Sequence, residues 1–346
     1  MLEKLHIKHF RCFEEFSIEK LTRINLISGK NNVGKTALLE AIFLFFGYKN
    51  PDIFIKTSML RGVLLTSFSP DVTWEHLFYN KDMDSAINIS ILDNEKEFLL
   101  TIQKDRSFAL SNLSVPINQE IRPLSGGYPL KISFKFEKNL DVGHIVPLQN
   151  AITATWKNPI IQTKLPIVQY IGINNDNTQS LVFRFGQVEK SGKKNILINI
   201  LQKLDADLED LTTIVDESPR LYAKKKNGPL LPLAAMGNGL SRLLQILCAM
   251  LEKPNGIILI DEIEAGFHFS FMPKLWEAIE KLANEMDVQI FATTHSLECL
   301  HSLLDANVDK KNITYTRLGK VKETIRPFHF NGEELDYAIS QNMEIR

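Results

Sequence analysis

The 346 residues are long enough for one large domain or two ordinary ones with a sizeable core. A formal net charge of −1 and a charged fraction of 23% exclude a general electrostatic field that would draw the whole chain to nucleic acid or anionic lipid. Cys12, Cys248 and Cys299 form no metal-binding or redox pattern, and we interpret them as reduced core residues. No signal peptide opens the chain and no apolar run could span a bilayer, so a cytoplasmic location without a membrane partner is expected.

The first motif with a chemical function is a phosphate loop near the N-terminus. Alternating apolar residues predict two or three strands over residues 1–27, and residues 29–36 read GKNNVGKT, a complete G-x-x-x-x-G-K-[ST] pattern. Its glycines let the loop turn successive N–H groups toward a phosphate, and the following helix adds its positive dipole end. Lys35 is expected to reach the β- and γ-phosphates of ATP, and the Thr36 hydroxyl to ligate Mg²⁺. The expected nucleotide-binding residues of the loop are Asn31, Asn32, Val33, Gly34, Lys35 and Thr36.

The middle of the chain predicts a β-rich and helical region. An apolar helix over residues 37–46 ends before the Asn50-Pro51 helix breaker, and the pattern of residues 52–86 is mixed and mostly helical. Alternating runs at 86–92 and 98–103 flank an Asp93-Asn94 turn signal and predict a hairpin. The further predicted elements are strands at 131–136 and 165–171, a helix at 193–211, and short strands at 212–215, 220–224 and 229–233.

The C-terminal third predicts helices and strands in alternation. A helix over residues 239–251 precedes Ile257–Ile260, a continuous apolar run typical of a parallel strand that is buried on both faces. A helix at 271–286 and a strand at 288–293 complete a βαβ unit. The last predicted elements are a helix at 301–306, a hairpin of residues 313–318 and 321–325, and a short helix at 333–340.

Two carboxylates follow the predicted strand Ile257–Ile260 in the Walker B arrangement. Asp261 is expected to hold Mg²⁺ through water beside Thr36. Glu262 is placed to act as the general base that polarises an attacking water. An apolar strand that ends in Asp-Glu is common, so the assignment depends on its combination with the phosphate loop. Together the two motifs predict an enzyme that hydrolyses ATP to ADP and phosphate.

Two further segments carry a family resemblance. Residues 261–266 (DEIEAG) and 292–296 (ATTHS) resemble ATP-binding-cassette-type (ABC-type) ATPases of the SMC/RecF/OLD branch, which includes AAA-family ATP-binding proteins of prokaryotic anti-phage defence. The resemblance implies that His295 is a switch histidine that contacts the γ-phosphate and that residues 264–268 form a D-loop facing a second subunit. Residues 6–13 (HIKHFRCF) resemble the N-terminal strand of this family, in which Arg11 lies near the nucleotide.

Met236-Gly237-Asn238-Gly239 stands where the signature motif of this family is expected. It departs from the transporter sequence LSGGQ, because Gly237 replaces the serine and Leu240 the glutamine. The resemblance still implies that Gly237, Asn238 and Gly239, at the start of a helix, cap the γ-phosphate of a nucleotide held by another subunit. It therefore implies a homodimer, or a higher oligomer built from such dimers, with ATP between the subunits.

The fold class that follows is α/β: a P-loop NTPase with an ABC-type ATPase head, made of a mixed sheet with flanking helices, and an inserted β-rich and helical arm subdomain. The head is expected to comprise residues 1–50 and 210–346, and the arm residues 51–209. The arm contains no heptads and is too short for the long coiled coil of SMC proteins. Too few residues follow His295 for another catalytic domain of ordinary size, so none is expected.

The predicted function is a Mg²⁺-dependent ATP switch that controls a separate effector, expected to be a TOPRIM-type nuclease, in anti-phage defence. The first alternative is a RecF-like repair ATPase that binds DNA directly through lysine clusters at residues 190–194 and 224–226. The second alternative, the ATP-binding subunit of a transporter, is disfavoured because no convincing Q-loop is found and the signature motif is not that of transporters.

Overall fold

The computed structural model describes residues 1–59, 74–108, 128–148, 152–157, 165–173, 178–215 and 217–341. The chain forms two compact units. The first comprises Met1–Thr22, Gly29–Pro166 and Arg317–Phe328, and the second comprises Arg23–Ser28, Ile167–Thr316 and His329–Arg346. Among the described residues, no helix has the length and apolar character needed to cross a membrane.

The elements are numbered in chain order. The strands are β1 (Leu2–Phe10), β2 (Phe13–Ile18), β3 (Ile24–Ser28), β4 (Ile87–Asp93), β5 (Lys96–Lys104), β6 (Leu130–Phe136), β7 (Asn139–Pro147), β8 (Ile152–Lys157), β9 (Val168–Ile171), β10 (Leu208–Val215), β11 (Pro219–Lys225), β12 (Leu230–Pro232), β13 (Ile257–Ile260), β14 (Gln289–Thr293), β15 (Ile313–Val321) and β16 (Thr324–Asn331). The helices are α1 (Lys35–Phe46), α2 (Pro51–Met59), α3 (Thr178–Lys190), α4 (Lys194–Leu204), α5 (Asn238–Glu252), α6 (Met272–Met286), α7 (Leu297–Asp305) and α8 (Gly332–Ser340). In this part of the chain the strands form three sheets, with the orders β2-β1-β4-β5-β6-β7-β8, β10-β11-β12 and β16-β15-β3-β14-β13-β9.

The first unit contains an antiparallel sheet of seven strands, β2-β1-β4-β5-β6-β7-β8, with α1 packed on it. Apolar residues alternate along its strands, as Ile87, Ile89 and Ile91 do in β4, and these side chains are buried. All residues of α1 from Ala37 to Phe45 are buried, and the rings of Phe45 and Phe134 lie 5.5 Å apart. The predicted helix after the phosphate loop is therefore a buried one, since it is apolar on most of its circumference.

The seven-stranded sheet combines strands that the sequence analysis assigned to different subdomains. β1, expected in the head, pairs antiparallel with β4, expected in the arm, and Ile7 lies opposite Ile89. The expected boundary between head and arm at residue 50 thus separates strands that pair in one continuous sheet. The division into head and arm stays a prediction, and the two compact units follow different boundaries.

The second unit is built around the parallel strands β3, β14, β13 and β9. Its core includes α5, in which every residue from Arg242 to Leu251 is buried, and α6, in which Trp276 is completely buried. Strand Ile257–Ile260 is buried at all four positions, as its continuous apolar run predicts. The predicted βαβ unit is confirmed, because β13 and β14 pair in parallel on either side of α6 in the chain.

Two helix predictions in this unit differ from the structure. The helix predicted over residues 193–211 ends at Leu204, and Leu208 to Leu211 begin β10. The apolar spacing continued across this point, but Asp205 is extended (φ −135°) and ends the helix. The helix predicted to start at His301 starts at Leu297, because the Ser296 side chain accepts a hydrogen bond from the Cys299 N–H and caps it.

The predicted reduced state of the cysteines agrees with the structure, in which all three are free. Cys248 and Cys299 are buried in the second unit, and burial raises the pKa of the Cys248 thiol to about 12. Burial also raises the pKa of Cys299. Cys12 is half-buried in the first unit.

Candidate functional site

The phosphate loop, residues 29–34, begins directly after β3 and ends at the first residue of α1. Its backbone visits the left-handed region at Asn32 (φ 64°) and at Gly34 (φ 94°). A Cβ atom at Gly34 would lie 2.7 Å from the Cys12 Sγ and 2.8 Å from the Phe13 ring. Glycine is therefore required there twice, by the backbone angle and by the close packing of the loop on the turn between β1 and β2.

The start of α1 fits an anionic ligand. No side chain caps the helix, and no acidic residue lies in its first turn. The Lys35 ammonium donates to the carbonyl oxygens of Gly29 at 2.7 Å and Lys30 at 3.0 Å, so it is folded over the loop. A positive charge and a helix N-terminus without a side-chain cap form the kind of site that binds phosphate groups.

Arg11 is held in a buried ion pair within the first unit. Its Nε lies 2.7 Å from the Glu40 Oε2, and the two side chains are 8% and 0% exposed. The guanidinium also donates to the carbonyl oxygens of Thr57 at 3.1 Å and His76 at 3.4 Å. This structural role was not visible in the sequence, and the expected contact of Arg11 with the nucleotide stays a prediction.

The carboxyl ends of four parallel strands meet at one edge of the six-stranded sheet. Ile260 of β13 lies opposite Ala292 of β14 on one side and Ile171 of β9 on the other. Thr293 of β14 lies opposite Ile27 of β3. The residues that end or follow these strands therefore lie side by side, and ligands bind at this edge in open α/β sheets. These residues are Ser28, Gly172, Asp261, Glu262, Thr293, Thr294 and His295.

Asp261 is buried, and its oxygens are held by neighbouring strands. The Thr293 hydroxyl donates to Oδ1 at 2.5 Å, and the Tyr170 hydroxyl donates to Oδ2 at 3.1 Å. Arg242 of α5 donates to the backbone carbonyl oxygens of Asp261 at 2.7 Å and Gly172 at 2.5 Å. Hydrogen bonds to both oxygens thus fix the orientation of the Asp261 carboxylate. Carboxylates that bind metal ions are commonly held by hydrogen bonds in the same way.

Glu262 and His295 lie next to Asp261 but are open to solvent. Glu262 has a left-handed backbone (φ 47°), which is rare for a residue other than glycine and turns the chain away from the strand. Its side chain is 36% exposed, and that of His295 is 49% exposed. The His295 Nδ1 lies 3.8 Å from the Glu262 Oε1 and 3.2 Å from the Glu264 Oε1. A buried carboxylate, an exposed carboxylate and an imidazole therefore form one cluster.

The turn before α5 carries the signature-like residues. Gly237 has a left-handed backbone (φ 88°), and Gly237 and Asn238 are exposed. No side chain caps α5, and no acidic residue lies in its first turn. A Cβ at Gly239 would lie 2.8 Å from the Gly266 carbonyl oxygen, so glycine lets this turn pack on the turn after β13. The N-terminus of α5 is thus an exposed site suited to an anion.

The structure therefore gathers the predicted residues into two groups. The loop from Asn31 to Thr36 belongs to the first unit, and Asp261, Glu262 and His295 belong to the second with the signature-like turn. Sequence reasoning missed the contacts of Tyr170 and Arg242 with Asp261. Tyr170 had a usable signal, because it lies near the end of a predicted strand, whereas Arg242 lies within an apolar helical pattern that pointed only to the core.

Two family models match different parts of the chain. One, described as "AAA ATPase domain", matches residues 1–114. The other, described as "AAA domain, putative AbiEii toxin, Type IV TA system", matches residues 157–300. The first covers the phosphate loop, and the second covers the strand-end cluster.

Whole-chain similarity agrees with these matches. The chain is 27% identical over 370 aligned positions to an "ATP/GTP phosphatase" of Helicobacter pylori, an alignment that covers 97% of each chain. It is 30% identical over 173 positions to the uncharacterized protein MJECL10 of Methanocaldococcus jannaschii, with coverage of 49% of this chain and 74% of the relative. Among solved structures, an SMC head bound to the C-terminal winged-helix domain of ScpA superposes with a TM-score of 0.52 and 13% identity, over 96% of this chain and 98% of that one.

Both matched models describe AAA-type ATPase domains, and the chain shares the fold of an SMC head, so it is a P-loop ATPase with an ABC-type, SMC-like fold. The expected α/β fold with an ABC-type ATPase head is confirmed by these matches. The ATPase binds and hydrolyses ATP, and its family uses a divalent metal for this reaction. The cluster at the strand ends offers carboxylate and hydroxyl oxygens, the atom types that hard divalent cations prefer.

Proposed function

We propose that this ATPase is a Mg²⁺-dependent switch that dimerises around ATP and acts through a separate protein. The observation that carries the proposal is the cluster at the strand ends, where buried Asp261 lies beside the exposed side chains of Glu262 and His295. A buried carboxylate whose oxygens are fixed suits a metal ion. An exposed carboxylate and an imidazole suit an attacking water and a phosphate.

The proposal gives each residue a chemical role. Lys35 and the N–H groups of the loop, from Asn31 to Gly34, hold the β- and γ-phosphates. Thr36 and Asp261 hold the metal, which we propose is Mg²⁺ because hydroxyl and carboxylate oxygens are its preferred protein ligands. The bound metal neutralises charge on the phosphates. Glu262 accepts the proton of the attacking water, and His295 contacts the γ-phosphate.

The dimer in this proposal is built from the signature-like turn. Gly237, Asn238 and Gly239 lie at an exposed helix N-terminus that no side chain caps. Such a terminus attracts a phosphate, and a two-fold pair of subunits would give each nucleotide the loop of one subunit and the turn of the other. The fold shared with an SMC head supports this arrangement.

The output of the switch is proposed to lie on another chain, of which a TOPRIM-type nuclease in anti-phage defence is the form we favour. Among the described residues, no group of three or more histidine, cysteine, aspartate and glutamate side chains is placed to hold a metal ion. Closure around ATP is a two-state change, and a partner that binds one state is controlled by the nucleotide.

The RecF-like alternative with direct DNA contact stays a hypothesis, which salt-dependent DNA binding would test. Four lysines of its two clusters already make contacts within the chain. These contacts are Lys193 to the Leu251 carbonyl at 2.7 Å, Lys194 to Asp210 at 3.1 Å, Lys224 to Glu209 at 2.8 Å and Lys225 to Asp205 at 3.1 Å.

The proposed function predicts that a partner is captured only in one nucleotide state. Tagged Glu262→Gln protein, which should retain ATP, is expected to recover a specific partner from its native host, and Lys35→Ala protein is expected to recover much less because it cannot hold the phosphates. Quantitative mass spectrometry of the two eluates measures the difference, and phage challenge of the deletion strain tests the biological role. Equal recovery by both variants, or DNA cleavage by the isolated chain with Mg²⁺, would overturn the proposal.

A further inference from the structure

Glu264 lies two residues after Glu262 and has no role in the phosphate chemistry proposed above. Its Oε1 accepts a hydrogen bond from the backbone N–H of His295 at 2.9 Å, and the same oxygen lies 3.2 Å from the His295 Nδ1. The side chain is 15% exposed, and its Oε2 is buried without a hydrogen-bond partner among the described residues. One carboxylate oxygen thus contacts both the backbone and the ring of the histidine.

The contact with the ring is at ion-pair distance, 3.2 Å between the Glu264 Oε1 and the His295 Nδ1. Because a carboxylate can only accept hydrogen bonds, it favours the form of the ring in which Nδ1 carries the hydrogen. The other ring nitrogen, Nε2, is then the one left to face a substrate. Glu264 is also the nearer of two competing carboxylates, since Glu262 lies 3.8 Å from the same Nδ1.

The turn that carries Glu264 is fixed to the end of β14. The Glu262 N–H donates to the Thr293 hydroxyl at 2.8 Å, and the Ile263 N–H donates to the Thr293 carbonyl at 3.0 Å. The turn is closed by the Phe267 N–H, which donates to the Glu264 carbonyl at 3.1 Å. These hydrogen bonds hold the turn that carries Glu264 beside the end of β14, where His295 follows.

We propose that Glu264 is the positioning residue for His295: it fixes the orientation and the tautomer of the imidazole, and it holds the ring away from Glu262, whose carboxylate is left for the attacking water. This inference rests on the roles proposed for His295 and Glu262. Glu264 does not touch the nucleotide in this scheme, and its effect on hydrolysis passes entirely through the histidine.

The test is a double-mutant cycle measured by steady-state ATP hydrolysis. Glu264→Ala is expected to lower kcat by about 10- to 100-fold, the usual effect of losing a hydrogen-bonded support of an active-site ligand, with KM for ATP nearly unchanged. Glu264→Gln keeps an acceptor oxygen at the same place and is expected to recover most of this loss. Glu264→Asp shortens the side chain by one methylene and moves the carboxylate away from His295, so it is expected to lose as much activity as Glu264→Ala. If Glu264→Ala does not fold, Glu264→Asp is measured in its place.

The decisive variant combines His295→Ala with Glu264→Ala. If Glu264 acts through the histidine, the double variant is no slower than His295→Ala alone, whereas an independent structural role would multiply the two losses. Glu277→Ala is the matched control. The Glu277 carboxylate in α6 also accepts a hydrogen bond from a backbone N–H, that of Asn307 at 3.1 Å, but Asn307 follows the C-terminal end of α7, whereas His295 precedes its start. It should leave kcat unchanged.

The outcomes separate the inference from the proposed function. Two results would overturn the role of Glu264 and leave the proposed function intact. One is a kcat of the double variant reduced by the product of the two single losses. The other is full activity of both Glu264→Ala and Glu264→Asp while His295→Ala is impaired. Full activity of His295→Ala would remove the proposed role of the histidine and this inference with it. Full activity of Glu262→Gln would instead contradict the proposed function.

Discussion

Replacing Glu262 by glutamine is expected to reduce ATP turnover by about 10²- to 10⁴-fold, the range that general-base catalysis contributes. The carboxylate follows the buried strand β13, lies beside Asp261 and is exposed, so it can accept a proton from water without being a ligand of the phosphates. The amide is of the same size but is a far weaker base. ATP affinity should therefore be kept while kcat falls, as measured by phosphate release and by binding of a fluorescent ATP analogue.

A matched substitution controls for the loss of a negative charge. Glu285 lies in α6, where its carboxylate is 3.7 Å from Lys281 on the solvent-exposed face. Glu285→Gln should turn over ATP at the rate of the unmodified protein. Wild-type turnover by the Glu262→Gln protein would show that another group is the base.

Breaking the buried ion pair of Arg11 and Glu40 is expected to lower the free energy of unfolding by about 3–5 kcal/mol, since Glu40→Ala leaves the guanidinium buried without its charge partner. Both side chains are almost completely buried, and the remaining contacts of the guanidinium include neutral carbonyls. Urea denaturation of the two proteins measures the difference. The exposed pair of Lys4 and Glu19 supplies the control, and Glu19→Ala should cost less than about 1 kcal/mol.

A double substitution separates the structural role of Arg11 from the expected contact with the nucleotide. Arg11→Met combined with Glu40→Leu replaces the pair by apolar side chains and should recover most of the stability that Glu40→Ala loses. If the recovered protein binds ATP normally, Arg11 has no role in binding. A Glu40→Ala protein as stable as the wild type would show that the pair is not buried as described.

Local patterns made half of the site predictable. The phosphate loop and the strand Ile257–Ile260 with its two carboxylates are continuous in sequence, so motif and apolar run identified them directly. The support of Asp261 belongs to no single motif, because Tyr170 reaches the carboxylate through the parallel pairing of β9 with β13, and Arg242 reaches the backbone carbonyl from α5. Pairing partners along the sheet carry no local signature.

The errors in the predicted fold have two causes, a long-range strand pairing and an apolar spacing that continued past the end of a helix. The hairpin of β4 and β5 was predicted from its turn, and Asn94 and Glu95 do take the left-handed angles of such a turn. That β1 extends this hairpin into a larger sheet depends on side chains 82 residues apart, as Ile7 and Ile89 show. The end of α4 at Leu204 was missed because an apolar spacing that suits a helix continued into β10.

The claim that ATP closes a two-fold dimer is tested by multi-angle light scattering of the Glu262→Gln protein with ATP and Mg²⁺. We expect the mass of two chains with ATP and of one chain with ADP or without nucleotide, because only the γ-phosphate joins the loop of one subunit to the signature-like turn at Gly237 to Gly239 of the other. The same protein with Lys35→Ala added should remain at the mass of one chain. A mass that is the same with ATP, with ADP and without nucleotide would contradict the claim.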